Sequence, residues 1–358
     1  DRAPAPTLPA GPDRFQTCFP HPIQRIRAGV LKGSPVTIVD CQWHWHPPAL
    51  LDRHLGRSDY PRATREGDLY VYEVSPDEIW RYDRRHTDLE FQMQALDVVG
   101  IDVVVTSASV AGDLSDRELG EAVELCTLLN EEMARAQQAY PERFIGLAHV
   151  PLTDTAAAIK VLDDATSRLG LAGVYVPGNV AGETIAQERL YDFYARVEEL
   201  GLPLFLHPTR AFRQPHALPY RMEVSLGYMF DTSLAMMALI VTGVLDRFPR
   251  LKIVHPHAGG TLPYVHGRLE VYRHKGWWPT MQRSFAEYLH QLYFDTVCNQ
   301  TETLQLAMSL VPPEQILFST DFPYFSSRKA LEFVRANVPA EHLDGVLGLN
   351  ALRLLNRL

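Results

Sequence analysis

The sequence predicts one α/β domain of the (β/α)8 TIM-barrel class, with a long insertion after its first strand and helices closing the chain. Eight short apolar runs rich in β-branched and aromatic residues begin near 36, 101, 144, 172, 203, 251, 292 and 316. A helical segment follows each run. Strands alternating with helices build parallel β-α units, and eight such units close a barrel. A doubly wound open sheet normally carries a Gly-rich phosphate loop after its first strand. Here that position holds Trp43-His44-Trp45-His46-Pro47-Pro48.

In chain order, residues 1–35 are Pro-rich and weakly patterned, an arm ahead of the 36–358 barrel domain. The first strand covers 36–42. Residues 47–86 are charged and aromatic without a long period, which predicts an extended excursion over the end of that strand; excursions of this length are usually functional. A helical pattern at 88–98 runs into a strand at 101–107. A long helix is expected over 116–139, capped by Asp116 and ended by Tyr140-Pro141. A strand at 144–150 precedes a helix at 154–170 with Asp154 as its cap. Strands at 172–177, 203–207, 251–257, 292–296 and 316–320 alternate with helices at 186–201, 233–247, 281–290 and 301–310. Helices near 328–336 and 341–356 finish the chain.

A chain of 358 residues can bury a full core. Its 46% hydrophobic and 22% charged residues are ordinary for a globular domain. A formal net charge of -9 argues against a nucleic-acid surface, which needs basic clusters for phosphate. No apolar run approaches the roughly 20 residues that span a bilayer, so no membrane partner is expected. The opening DRAPAPTLPAGPDRFQ lacks a basic region followed by an apolar one and does not read as a secretory signal. Cys18, Cys41, Cys126 and Cys298 have no paired spacing, which predicts free thiols and a cytoplasmic setting.

Barrel chemistry sits at the C-terminal ends of strands. Strict alternation along the first strand turns Asp40, Gln42, His44 and His46 to one face, and two imidazoles two residues apart can share a metal ion. Strand five ends in His207, strand six in His255-Pro256-His257, and strand eight in Asp321. Singly, each has a bland explanation as a strand end, a tight turn or a helix cap. Together, His44, His46, His207 and Asp321 on one rim describe a catalytic divalent site with an open position.

The blocks LDVVGIDVVVTSAS, YPERFIGLAHVPLTD, EELGLPLFLHP, GVLDRFPRLKIVHPHAGGTLPYVHGRLE, LYFDT and ILFSTDFPY resemble the amidohydrolase superfamily. The similarity is to the branch of 2-amino-3-carboxymuconate-6-semialdehyde decarboxylase and the resorcylate-type decarboxylases, over roughly 36–356. The resemblance implies His207 and Asp321 as metal ligands and His257 as a catalytic residue. It also implies a homodimer or higher homo-oligomer in which Arg268 reaches the neighbouring subunit's site. The fourth strand lacks the lysine of binuclear relatives, so one divalent ion is expected, zinc first, with manganese or another ion as alternatives. The family pattern D-x-H-x-H, then proline three residues on, places Gln42 at the first histidine and His44 at the second, leaving His46 outside. The literal H-x-H uses His44 and His46. Gln is a poor zinc ligand beside imidazole, which favours His46.

The expected activity is non-oxidative decarboxylation of a small unsaturated or aromatic carboxylic acid. His257 and Asp321 would manage the proton, Arg210, Arg268 and then Arg84 or Arg85 would pair with carboxylates, and Trp43 would line a flat substrate's site. The alternative is hydrolysis of a lactone, amide or cyclic imide at the same site. A third reading is a binding protein that has lost its metal through Gln42.

Overall fold

The computed structural model describes residues 36–76, 78–209 and 222–358. The N-terminal arm, Cys18 and Arg210 lie outside the described residues. In chain order the strands are β1 (Val39–His44), β2 (Arg62–Glu66), β3 (Leu69–Ser75), β4 (Glu78–Tyr82), β5 (Val103–Ser107), β6 (Phe144–Gly146), β7 (Val174–Pro177), β8 (Asn179–Val180), β9 (Glu183–Thr184), β10 (Pro203–His207), β11 (Lys252–His255), β12 (Leu292–Asp295) and β13 (Ile316–Leu317).

Eight of these correspond to the eight expected runs. They form two parallel sheets, ordered β1-β5-β6 and β7-β10-β11-β12-β13. Among the described residues no continuous ladder joins the two, but backbone hydrogen bonds cross both seams. Ala148 N–H donates to Gly173 O (2.8 Å) and Tyr175 N–H to Ala148 O (2.9 Å) beside β6 and β7. Cys41 N–H donates to Phe318 O and Asp321 N–H to Gln42 O, each at 2.9 Å, beside β1 and β13. Val39, Val105, Ile145, Tyr175, Phe205, Val254 and Leu317, drawn from both sheets, share one buried cluster with Leu352 and Leu355 of the C-terminal segment. Burying each such aliphatic or aromatic side chain is worth about 1.5–3 kcal/mol. The two sheets therefore face a common interior. The C-terminal segment approaches closely enough that a Cβ on Gly348 would lie 1.9 Å from Thr37 O.

Helices cover the outside much as their periodicity predicts. Asp88 and Asp154 cap Leu89–Val99 and Thr155–Ser167 by accepting from Phe91 N–H and Ala157 N–H. The long helix differs from expectation. It runs Leu119–Ala139, and Glu118 rather than Asp116 is its cap, accepting from Gly120 and Glu121 N–H. One helical stretch, Glu223–Val241, is long and apolar enough by composition to cross a bilayer, with half of it buried against the body.

The segment after β1 is more regular than its sequence suggested. β2, β3 and β4 form an antiparallel sheet. Pairing of Glu66 with Leu69 leaves Gly67-Asp68 as a two-residue hairpin loop, with Gly67 at φ 65°. A Gly-Asp pair between strand-like runs is a hairpin signal, and the aromatic alternation of Leu69–Ser75 fits it.

The single-face reading of Asp40, Gln42, His44 and His46 is corrected. β1 pairs Asp40 with Val104 but Trp43 with Thr106, so it carries one residue more than β5 over that interval. Such a bulge reverses side-chain parity. Val39 and Cys41 join the interior cluster, whereas Trp43 packs in the outer one. Asp40 instead pins β1 to the residues after β13, accepting from Thr320 Oγ1–H (2.5 Å) and Thr320 N–H (3.1 Å).

Candidate active site

The head of the strands carries a cavity of ≈ 340 Å³ lined in part by Gln42, His44, Ser107, Tyr175, His207 and Asp295. The bulge in β1 brings Gln42 and His44 to the same mouth. Asp321, two residues past Ser319, enters from the other side of the seam. Its backbone is left-handed at φ 58°, and its N–H is held by Gln42 O (2.9 Å). A non-glycine residue in that region costs roughly 1–2 kcal/mol and persists only where its surroundings fix it.

Asp321 is the meeting point of the cluster. His44 Nε2 lies 2.9 Å from its Oδ1, and Gln42 Nε2–H donates to the same oxygen at 3.3 Å. His257 Nε2 is 3.8 Å from Oδ2. Gln42 Nε2 also lies 3.4 Å from His257 Nε2, while Gln42 Oε1 is buried without a partner. His44 Nδ1 is anchored to Ser107 Oγ at 3.1 Å, which fixes the ring's orientation. The His207 ring stands edge-on to His44 with centroids 5.1 Å apart, its Nδ1 2.9 Å from Pro208 O and its Nε2 3.4 Å from Ser109 Oγ.

Protonation follows from this packing. Burial alone would raise the Asp321 carboxyl, but hydrogen bonding and charge from His257 and His44 hold it well below the usual carboxylate range. Burial opposes charge on His257, yet Asp321 and then Asp295 raise its proton affinity above that of an ordinary imidazole. His207 is pushed well down by burial and then by the neighbouring His44, so it stays neutral, with Nδ1–H donating to Pro208 O and the Nε2 lone pair available. Asp295 is raised by burial.

These residues fit a divalent ion. Tetrahedral bonds of 2.0–2.1 Å separate donor atoms by about 3.4 Å, so the 2.9 Å contact of His44 with Asp321 needs to open by only half an ångström or so. Among the described residues, no three His, Cys, Asp or Glu side chains surround one point at coordinating distance. Two imidazoles and one carboxylate lie within reach of one another, and the further donor beside them is the Gln42 amide, whose orphaned Oε1 is the kind of oxygen a hard cation takes.

The other expected residues fall further out. His46 is fully buried, stacked on Tyr82 (centroids 4.2 Å) and 5.9 Å from the His86 ring, with both ring nitrogens unpaired. Burial, then His86, His44 and His207, pushes its pKa well down. It has no contact with Asp321 like that of Gln42. Trp43 packs: it stacks on Phe322 at 4.0 Å, and its indole N–H donates to Gln92 Oε1 at 2.8 Å. Arg84 and Arg85 are exposed and paired with Asp88 and Asp83. Arg268 is exposed on the helix Leu262–His274 and donates to Tyr272 Oη at 2.7 Å.

Sequence reasoning gave no role to Ser107, Ser109 or Asp295. Ser107 and Ser109 have no distinguishing signal. Asp295, ending the fourth strand of the larger sheet in Leu-Tyr-Phe-Asp-Thr, has the same strand-end position as the residues that were singled out.

A family model described as amidohydrolase matches residues 39–357. A 2-amino-3-carboxymuconate-6-semialdehyde decarboxylase of Dictyostelium discoideum is 28% identical over 244 residues, 66% of either chain. A gamma-resorcylate decarboxylase of Rhizobium radiobacter is 27% identical over 288 residues, covering 74% of this chain and 86% of the relative. Among solved structures, a dihydroxybenzoic acid decarboxylase of Polaromonas sp. JS666, with bound manganese and the inhibitor 2-nitroresorcinol, superposes with a TM-score of 0.74. That match covers 89% of this chain and 97% of the other at 22% identity, a likeness of fold.

Proposed function

The chain belongs to the amidohydrolase family, and from that premise we propose that it is a metal-dependent, non-oxidative decarboxylase of a small aromatic or unsaturated carboxylic acid. The observation that carries the reading is the convergence of His44, Gln42 and His257 on the Asp321 carboxylate, in a family whose similar relatives are decarboxylases. His44, His207 and Asp321 would hold one divalent ion, with Gln42 Oε1 as the further donor from β1. An amide and a carboxylate oxygen lean toward manganese or another hard ion rather than zinc. When bound, the ion supplies positive charge that polarises a substrate oxygen and offsets the negative charge developing on the substrate.

The chain's own groups manage the rest. The bond between the carboxylate carbon and the substrate's α-carbon breaks, carbon dioxide leaves, and the electron pair stays on the α-carbon. A proton then forms the new carbon–hydrogen bond. His257, favoured in its protonated form by Asp321, is placed to give that proton, and Asp321 holds the ring at the correct side. The apolar lining at Val105, Leu147, Phe205, Leu206 and Val254 limits water beside the developing carbanion. The seam hydrogen bonds and shared interior support closure of the two sheets into one (β/α)8 barrel, with β2–β4 as the insertion above it. The exposed position of Arg268 suits a residue offered to a second copy of the chain, and Arg210 remains the candidate for a carboxylate partner within it.

The test is to incubate the metal-loaded protein with hydroxybenzoate-type and unsaturated dicarboxylic acids in ¹⁸O-water. Release of carbon dioxide with one solvent hydrogen at the α-carbon is the expected result. Solvent ¹⁸O in the product with no gas evolved would overturn the proposal in favour of hydrolysis.

A further inference from the structure

The end of strand β10 is held on both sides of His207. β10 runs parallel to β7 with His207 opposite Pro177, and the residue after Pro177 donates back: Gly178 N–H bonds His207 O at 2.8 Å. Two residues past the histidine, Thr209 N–H donates to Asp231 Oδ2 at 2.8 Å. Asp231 lies in the first turn of the helix Tyr228–Val241 and is buried. Its other oxygen, Oδ1, accepts from Asn179 Nδ2–H at 3.2 Å, and the same amide donates to Thr209 Oγ1 at 2.6 Å. Asn179 Oδ1 is fixed in turn by Gly182 N–H at 2.7 Å.

Gly178 makes this approach possible. A Cβ there would run into the Asp231 carboxylate. The φ of Gly178 is not positive, so the need for glycine comes from the carboxylate and not from the backbone angle. Both Asp231 oxygens accept, which a carboxylate does and an amide cannot; an amide would turn its own NH2 toward Thr209 N–H or Asn179 Nδ2–H. Between the two anchors, His207 Nδ1 is tied to Pro208 O at 2.9 Å. The direction of the ring therefore follows the backbone of residues 207–209.

We propose that Asp231, seated in the space that Gly178 leaves, is a positioning residue for His207: it clasps the backbone beyond β10 so that the imidazole tied to Pro208 O keeps its direction in the cluster. Groups behind a metal-binding imidazole set its orientation and with it the affinity of the site. The inference rests on the metal-site reading for its effect on affinity, but not for its geometry.

The experiment measures manganese and zinc dissociation constants by chelator competition for wild type, Asp231→Asn, Gly178→Ala, Asp231→Ala and the double variant Gly178→Ala/Asp231→Ala, each shown to be folded by circular dichroism. Native-state hydrogen exchange at the Thr209 amide is followed in parallel. We expect Asp231→Asn to weaken metal binding about 10-fold or more and to speed Thr209 exchange by about the same factor. Gly178→Ala should weaken binding comparably in the wild-type background and by less than about twofold beside Asp231→Ala, where its methyl group enters vacated space. Asp231→Asn within about twofold of wild-type affinity, unchanged Thr209 exchange, or an equal effect of Gly178→Ala in both backgrounds overturns the inference. If wild type binds neither ion, the metal-site reading fails, and Thr209 exchange in the two single variants still decides whether Asp231 holds the strand end.

Discussion

Gln92 is a buried polar residue on which the end of β1 depends. It is 0% exposed on the helix Leu89–Val99. Its Oε1 accepts from Trp43 Nε1–H at 2.8 Å. Its Nε2 donates to His44 O at 2.9 Å and to Arg85 O at 2.7 Å. One side chain thus ties the strand that carries His44 to the segment that follows the inserted sheet. Gln92→Met keeps the volume and removes all three bonds. It strands one buried donor and two carbonyls, each at about 1–3 kcal/mol, for a total of roughly 3–9 kcal/mol. At about 2 °C per kcal/mol for a domain of this size, Tm falls by roughly 6–18 °C. Urea unfolding followed by far-ultraviolet circular dichroism should show a lower midpoint at constant m. Trp43→Phe removes the matching donor, so the double variant should recover about 1–2 kcal/mol relative to the sum of the single changes. A loss below about 1 kcal/mol for Gln92→Met, or strict additivity in the double variant, refutes the claim that Gln92 fixes this corner.

Two further expectations follow from the site and from the core beneath it. Gln42→His replaces an amide oxygen with imidazole and should tighten zinc about 10-fold or more while moving manganese less, read by competition with a chromogenic chelator; unchanged zinc affinity would remove Gln42 from the ligand set. Both ring nitrogens of His255 are buried without a hydrogen-bond partner, and burial pushes its pKa down to about 3. Its contribution is fully present above the unfolded value near 6.5 and is lost as pH falls toward 3, because the unfolded chain takes up the proton first. His255→Phe should therefore gain about 2 kcal/mol on wild type between pH 7.5 and pH 5; parallel unfolding midpoints at the two pH values would contradict that.

Much of the strand order was legible because each parallel strand is a short apolar run bounded by turns and spaced by amphipathic helices. Helix caps such as Asp88 and Asp154 were equally local, since an N-cap needs only its own first turn. The sheet β2–β4 was not read. Its charged and aromatic residues alternate weakly, and the Gly67-Asp68 loop was the local clue. Asp116 was chosen as a cap from residue type alone, whereas the helix begins at Leu119, where Glu118 is the residue in place.

The site divides in the same way. His44, His207, His257 and Asp321 stand at strand ends, and sequence alone placed them there, because the end of a hydrophobic run can be read from the chain itself. Which way each side chain points cannot. That Gln42 and His44 face the cavity while Asp40 does not is set by one extra residue in β1, a bulge that exists only in the pairing of β1 with β5, and His46 lies beyond the end of β1. The bond from Ala258 N–H to Asp295 Oδ1, beside His257, likewise joins residues 37 positions apart through adjacent strands. Residue type and hydrophobic period are properties of one chain segment, whereas register and side-chain parity belong to pairs of segments, so tertiary structure alone could decide them.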